Sequence, residues 1–223
     1  MTRLLLASAS PARRATLRAA GIEPVVAVSG VDEHDVLADA VARAGALTPA
    51  EAVLVLARAK AEDVASKLAL HPVAGDVVVL AEARDVVVLG CDSMLEFGGE
   101  VLGRPADAAQ AVARWRAMRG SSGVLHTGHW LVDARPDDGT GAALGETAST
   151  TVWFADLSDD EIDAYVATQE PLRVAGAFTI DGLGGPFVER IDGDHHCVVG
   201  LSLPLLRRML AAIGVPITDL WTA

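Results

Sequence analysis

Residues 4–14 read Leu-Leu-Leu-Ala-Ser-Ala-Ser-Pro-Ala-Arg-Arg, a short apolar strand that runs straight into a helix start. Ser10 suits the N-cap and Pro11 the first helical position, which fixes the boundary closely. A strand handed over to a helix this abruptly belongs to an α/β architecture, with helices covering a sheet. The helix then places Arg13 and Arg14 in its first turn. About half a positive charge already sits there, so each guanidinium costs about 0.3–1 kcal/mol unless an anion joins it. The free backbone N–H groups of Ala12 to Ala15 point into the same space. Together with Ser8 and Ser10, the segment reads as a phosphate cradle. The competing reading is two solvated surface arginines neutralised by carboxylates elsewhere.

Length and composition support a compact core. The chain has 223 residues, is 51% hydrophobic and 4% aromatic, and takes its apolar content mainly from Ala, Val and Leu. That suits a tightly packed fold over residues 1–223, as one large domain or as two lobes sharing a sheet, with no linker between independent domains. The longest apolar runs, such as Val86 to Leu89, are strand-sized and far short of the roughly 20 residues a bilayer helix needs. The apolar run in Met1 to Ala7 is too short for a signal peptide and is followed by more arginines, so no membrane is expected and the cytoplasm is the expected location. A net charge of −12 with no lysine-rich stripe argues against polymeric nucleic acid. A small anion would still bind, given a local basic cluster and a divalent cation to offset the surrounding negative field. The two cysteines, Cys91 and Cys197, show no C-x-x-C spacing and read as small buried hydrophobes.

Along the chain, Gly21 closes the first helix, and Pro24 to Val28 reads as a second strand leading to Asp32 and Glu33 at its end. Thr48-Pro49-Ala50-Glu51 is a capping box that opens a long helix to about Leu70. Asp76 to Leu80 and Asp85 to Leu89 read as two strands, the second leading to Gly90-Cys91-Asp92-Ser93. A helix from about Ala106 to Met118 follows the Phe97 to Glu100 turn. Val124 to Val132 and Thr147 to Phe154 read as strands, and Ser158 to Glu161 caps a further helix. Gly182 to Gly185 reads as a hairpin, and a last helix runs from about Pro204 to Ile213. The resulting expectation is a mixed sheet flanked by helices, with a ligand cleft at the strand ends.

Asp92 follows a fully apolar strand, which delivers its carboxylate to the end of the sheet and suits a metal ligand or a base. One or two acids hold Mg²⁺ or Mn²⁺ when a polyphosphate supplies the other oxygens, and Asp92 with Glu33 would do so. The alternative is that Asp92 caps a turn and that Asp32 and Glu33 are ordinary loop acids. Lys60 stands among Ala57, Ala59 and Ala61, so a long side chain there can reach across a cleft; lone helix lysines are mostly solvated. Arg104, between glycine and proline, can reach a phosphate or stay a surface charge. His195 and His196 on an extended segment would point to opposite sides, with one at most lining the cleft. No G-x-S-x-G elbow or Walker A loop occurs.

The segments Ser8 to Arg14, Val31-Asp32-Glu33, Leu56 to Ala61, Gly90 to Ser93, Leu102 to Pro105, His126-Thr127-Gly128 and Glu170-Pro171-Leu172, in this order, resemble the Maf family of nucleotide pyrophosphatases. The likeness continues through Ala175-Gly176-Ala177, Phe187 to Arg190 and Val199 to Pro204. It implies an inosine-triphosphatase-like α/β fold with a cleft between two lobes, a homodimer, and a divalent-metal requirement. It also implies hydrolysis of nucleoside triphosphates to monophosphate and pyrophosphate. By motif match Asp92 takes the proton-acceptor position, Arg13 falls in the phosphate-binding signature, and Glu33 and Lys60 fall on further functional positions. Arg104 stands where lysine is usual, which exchanges a point charge for a planar fork. Gly123, Arg173-Val174 and Asp181 also depart, from histidine, Asp-Lys and glutamine respectively. If Asp181 faces the base, a carboxylate there removes a donor and alters which base edges are read. The family divides between pyrimidine triphosphates such as dTTP and UTP and modified purines, with the first group favoured here. Two other readings remain: a non-catalytic nucleotide-binding regulator of cell division and septum formation, and a phosphatase that releases orthophosphate.

Overall fold

In this computed structural model, residues 2–70, 85–136 and 138–222 are described. Seven strands form one sheet among them. They are β1 (Arg3–Leu6), β2 (Val25–Val26), β3 (Val86–Phe97), β4 (Glu100–Leu102), β5 (Ser122–Asp133), β6 (Ala143–Phe154) and β7 (Val188–Asp192). Their order is β2-β1-β3-β5-β6-β7, with β4 also paired to β3. β1 runs parallel to β2 and β3, and the remaining pairings are antiparallel. The expected mixed sheet flanked by helices is what the chain forms.

The helices are α1 (Pro11–Ala19), α2 (Glu33–Ala44), α3 (Pro49–Leu70), α4 (Ala108–Met118), α5 (Asp159–Ala167), α6 (His195–Val199) and α7 (Leu203–Ala212). α1 starts as its sequence dictates, with the Ser10 hydroxyl accepting the Arg13 N–H and Pro11 in the first turn. The Thr48 and Glu51 pair closes its capping box at α3, each side chain meeting the other's backbone N–H. α5 opens on a second such box between Ser158 and Glu161.

α3 buries Val53, Leu56, Ala57, Lys60, Ala61 and Val64, an unbroken i, i+3, i+4 stripe with one charge in it. The stripe can lie flat on the sheet because glycines receive it. A Cβ on Gly90 would stand 2.2 Å from the Ala57 carbonyl oxygen, and one on Gly128 would stand 2.4 Å from that of Val53.

Apolar clusters fill the space on either side of the sheet's middle. One packs β1, α1 and α7 around Leu6, Leu17, Leu89 and Leu206. Another gathers Trp115, Phe154, Tyr165 and Phe178 beneath α4 and α5, with the Trp115 and Phe154 rings edge-on at 5.6 Å. β3 runs through both.

Three local expectations change. The acids at 32 and 33 do not end a strand: Asp32 caps α2, its carboxylate accepting the N–H groups of His34 and Asp35. α2 buries none of its residues, so the sequence lacks the apolar stripe that would have announced it. Gly182 to Gly185 makes no hairpin but bends into a 3-10 turn at Gly185–Phe187. His195 and His196 open α6, capped by Asp194, rather than lying on extended chain. The predicted strand at Asp76 to Leu80 lies outside the described residues.

Candidate active site

β3 is longer than its neighbours on one side. β1 pairs with it from Val86 to Leu89, and β4 pairs with it from Leu95 to Phe97. Among the described residues no strand lies beside that edge of β3 between Gly90 and Met94, while β5 pairs with the other edge there. The gap is the floor of a cleft of about 1030 Å³, and Asp92, Ser93 and Met94 line it.

Arg13 plugs the start of the gap. The Ala7 N–H donates to the Leu89 carbonyl in the manner of a parallel ladder. Two residues further on, the Cys91 carbonyl accepts from Arg13 Nη1 at 2.8 Å instead of from a strand. Arg13 Nη1 also donates to Ser8 Oγ, Nε to the Gly200 carbonyl at 2.7 Å, and Nη2 to Ser93 Oγ at 3.0 Å. Four of the five guanidinium N–H donors are thus spent on the protein. Thr127 Oγ1 donates to the Cys197 carbonyl, so Ser93 Oγ, 2.9 Å away, must donate to Thr127 and accept from Arg13. The side chain is a strut between β3, the 8–10 turn and Gly200.

Lys60 carries the one charge on the α3 stripe to Asp92. Its Nζ stands 2.5 Å from Asp92 Oδ1 and 2.7 Å from Glu33 Oε1. Arg13 and Lys60 are each 9% exposed and Asp92 is 8% exposed. Burial pushes the Asp92 carboxyl up from the usual carboxylate range, against the opposing pull of Lys60 and Arg13. Asp92 Oδ2 has no hydrogen bond among the described residues, and Asp92 lines the cleft, as a base would need. The Cys91 thiol, fully buried, is pushed up to about 12 and stays uncharged.

Ser8, Ser10, Arg13, Glu33, Lys60, Asp92, Arg104 and Asp181, dispersed over the sequence, all line this cleft. Arg14 does not. It turns toward Glu23 at 3.4 Å, alongside Arg18, and borders a smaller hollow with Val26. Successive residues on a helix diverge by about 100°, so a first turn cannot aim both arginines at one ligand. Neither His195 nor His196 reaches the cleft; its wall there is Val198, Val199 and Gly200.

Arg173 lines the cleft too, and the sequence pointed to it only as a departure. Neither Arg104 nor Arg173 has an ion-pair partner among the described residues, so these are the cleft's uncommitted cations. His129 was also missed. Buried beside the site, its Nδ1 meets the Thr127 carbonyl and its Nε2 accepts the Ser202 N–H at 2.8 Å, anchoring the turn that presents the Gly200 carbonyl to Arg13.

No cage of three or more His, Cys, Asp or Glu side chains exists among the described residues. Asp92 and Glu33 nevertheless converge on one point, now held by the Lys60 ammonium. Two carboxylates so placed fit a hard divalent cation, provided a bound polyphosphate and water supply the remaining oxygens.

A model of the family described as Maf-like protein matches residues 3–213. A protein of Salinispora tropica named nucleoside triphosphate pyrophosphatase is 59% identical over 220 residues, covering 99% of this chain and 88% of that protein. One of the same name from Streptomyces coelicolor is 52% identical, covering 98% and 94%. A solved nucleoside-triphosphatase (dITP/XTP pyrophosphatase) from Mycobacterium abscessus is 13% identical, with a TM-score of 0.34 over 70% of this chain and 76% of that one. That likeness is too loose to argue from. No helix among the described residues is long and apolar enough to cross a membrane.

Proposed function

The chain belongs to the Maf-like protein family, and we propose that it hydrolyses nucleoside triphosphates between the α- and β-phosphates, releasing a monophosphate and pyrophosphate. The observation that carries this reading is the buried Asp92–Lys60 pair, joined from the solvent side by the exposed Glu33, at a cleft whose uncommitted cations are Arg104 and Arg173. A carboxylate whose pKa burial pushes up, against the pull of Lys60 and Arg13, is a stronger base than a solvated one.

In this mechanism Asp92 orients a water toward the α-phosphorus and takes its proton at Oδ2, while Lys60 holds Oδ1. Arg104 and Arg173 draw the leaving pyrophosphate and offset the charge spread over the phosphate oxygens, where most catalysis of phosphoryl transfer lies. Ser8, Ser10 and the N-terminus of α1 supply further donors. Arg13, nearly saturated, keeps these groups in register and has one N–H left for substrate. Asp92 and Glu33 would hold Mg²⁺ or Mn²⁺, which supplies charge neutralisation to the phosphates when bound.

Thymine and uracil offer an N3–H on their pairing edge, and Asp181, an acceptor-only side chain in the cleft, suits that donor. We propose dTTP and UTP as the first substrates to test; the guanine N1–H and the adenine and cytosine exocyclic amines are donors as well, so the comparison across bases decides the preference. Incubating the purified protein with a panel of nucleoside triphosphates and Mn²⁺ tests the reading. Stoichiometric pyrophosphate supports it; orthophosphate alone indicates a phosphatase, and binding without product indicates a regulator.

A further inference from the structure

Glu170 makes an unusual number of bonds for an acid at a cleft wall. Its Oε1 accepts from the Tyr165 hydroxyl at 3.2 Å, from the Thr179 hydroxyl through a short contact, and from the Gly184 N–H at 3.1 Å. Oε2 accepts from the Leu183 N–H at 3.1 Å. The Tyr165 oxygen in turn accepts the Thr179 N–H. Thus one carboxylate gathers α5, Thr179 and the 183–184 backbone.

The glycines confirm how closely the turn is drawn in. A Cβ at Gly182 would lie 2.7 Å from Glu170 Oε2, and one at Gly184 would lie 2.4 Å from the Tyr165 hydroxyl oxygen. Gln169, just before Glu170, and Ala177, two residues before Thr179, both hold left-handed backbone, at φ 64° and 59°. Non-glycine residues keep such angles only where their surroundings over-determine them.

Thr179, Ile180, Asp181 and Gly182, inside this clamp, line the cleft. Their stretch carries one carboxylate, an apolar side chain and backbone groups, with no cation, whereas the phosphate-seeking residues are on α1, α3, Arg104 and Arg173. A wall of that kind repels phosphate and receives an uncharged heterocycle. We propose that Glu170 is a positioning residue that fixes the 179–184 turn as the nucleoside-reading wall, and so sets discrimination among nucleotides without touching the reacting phosphates. This deepens the function proposed above and rests on it.

The test is Glu170→Gln with Thr179→Val and Thr179→Ser, assayed on dTTP, UTP, dCTP, ATP and GTP. The amide turns an NH₂ toward N–H and O–H donors and leaves one acceptor for what two oxygens held. For Glu170→Gln and Thr179→Val, KM for the preferred nucleotide should rise about tenfold while kcat stays within about threefold, and the spread of kcat/KM across the panel should narrow about tenfold. Thr179→Ser, keeping the hydroxyl, should recover most of the spread that Thr179→Val loses. Should Glu170→Gln fail to fold, Thr179→Val alone decides. An unchanged spread, or an equal loss on every nucleotide, overturns the proposal. A parent protein that binds nucleotides but releases no pyrophosphate would refute the catalytic reading instead, and the same narrowing is then read from dissociation constants.

Discussion

The Lys60 ammonium stands 2.5 Å from the Asp92 carboxylate, and each is buried beside the other. The two groups do not depend on each other equally. Lys60 keeps Glu33 as a second partner, while Asp92 has Lys60 as its one ion-pair partner among the described residues. Asp92→Asn should therefore fold and lose about 10²-fold or more in turnover, the lower range for removing a general base. Lys60→Met should lose about 3 kcal/mol or more of stability as well as activity, because it strands a buried carboxylate. The double variant should regain most of that stability and none of the activity. Urea unfolding and turnover on the four proteins check this; equal destabilisation by both single changes would contradict it.

Arg104 and Arg173 should separate from Arg14 in function. Alanine at 104 or 173 should raise KM for a triphosphate about tenfold and leave stability within about 0.5 kcal/mol, since neither is committed to the fold. Added salt should shrink the difference, because exposed charges are screened. Alanine at Arg14, which faces Glu23, should leave KM unaltered. Steady-state kinetics at low and high ionic strength settle it; an Arg14→Ala protein with the largest KM effect would reverse the assignment.

The site was legible where chemistry and patterning disagree. Lys60 interrupts an apolar helical stripe, and Asp92 ends a run of apolar strand residues; both turned out buried and in contact. The strand-to-helix start at residues 4–14 and both capping boxes likewise folded as their sequences direct. What escaped were features that depend on distant chain. That Arg13 caps the bare edge of β3 requires knowing where β1 stops and β4 begins. Glu170 shows its role only once the 179–184 turn closes on it. α2 lacked a buried face to reveal it, and Arg14 seemed equivalent to Arg13 until the helix was oriented.

His129 gives stability a pH dependence of known sign. Burial pulls its pKa from 6.5 down to about 4, with Arg13 adding to the drop and the Thr127 carbonyl and Asp194 opposing it. The neutral ring already donates to the Thr127 carbonyl and accepts from Ser202, so a second proton would face an N–H. The folded pKa lies below the unfolded one, so the unfolded chain binds the extra proton first as pH falls. The contribution is complete above about 6.5 and is lost between there and about 4, amounting to about 3 kcal/mol. His129→Leu should be less stable at neutral pH and show a shallower loss on acidification. Chemical unfolding between pH 7.5 and 4.5, which covers most of that window, compares the slopes; identical slopes would contradict the assignment.

The central claim is that Asp92 directs water at the α-phosphorus. Hydrolysis of dTTP or UTP in oxygen-18 water, with products resolved by mass spectrometry, tests it directly. The label should appear in the nucleoside monophosphate, the pyrophosphate should be unlabelled, and Asp92→Asn should yield neither product at a comparable rate. Label in pyrophosphate or in released orthophosphate, or undiminished turnover by Asp92→Asn, would contradict it.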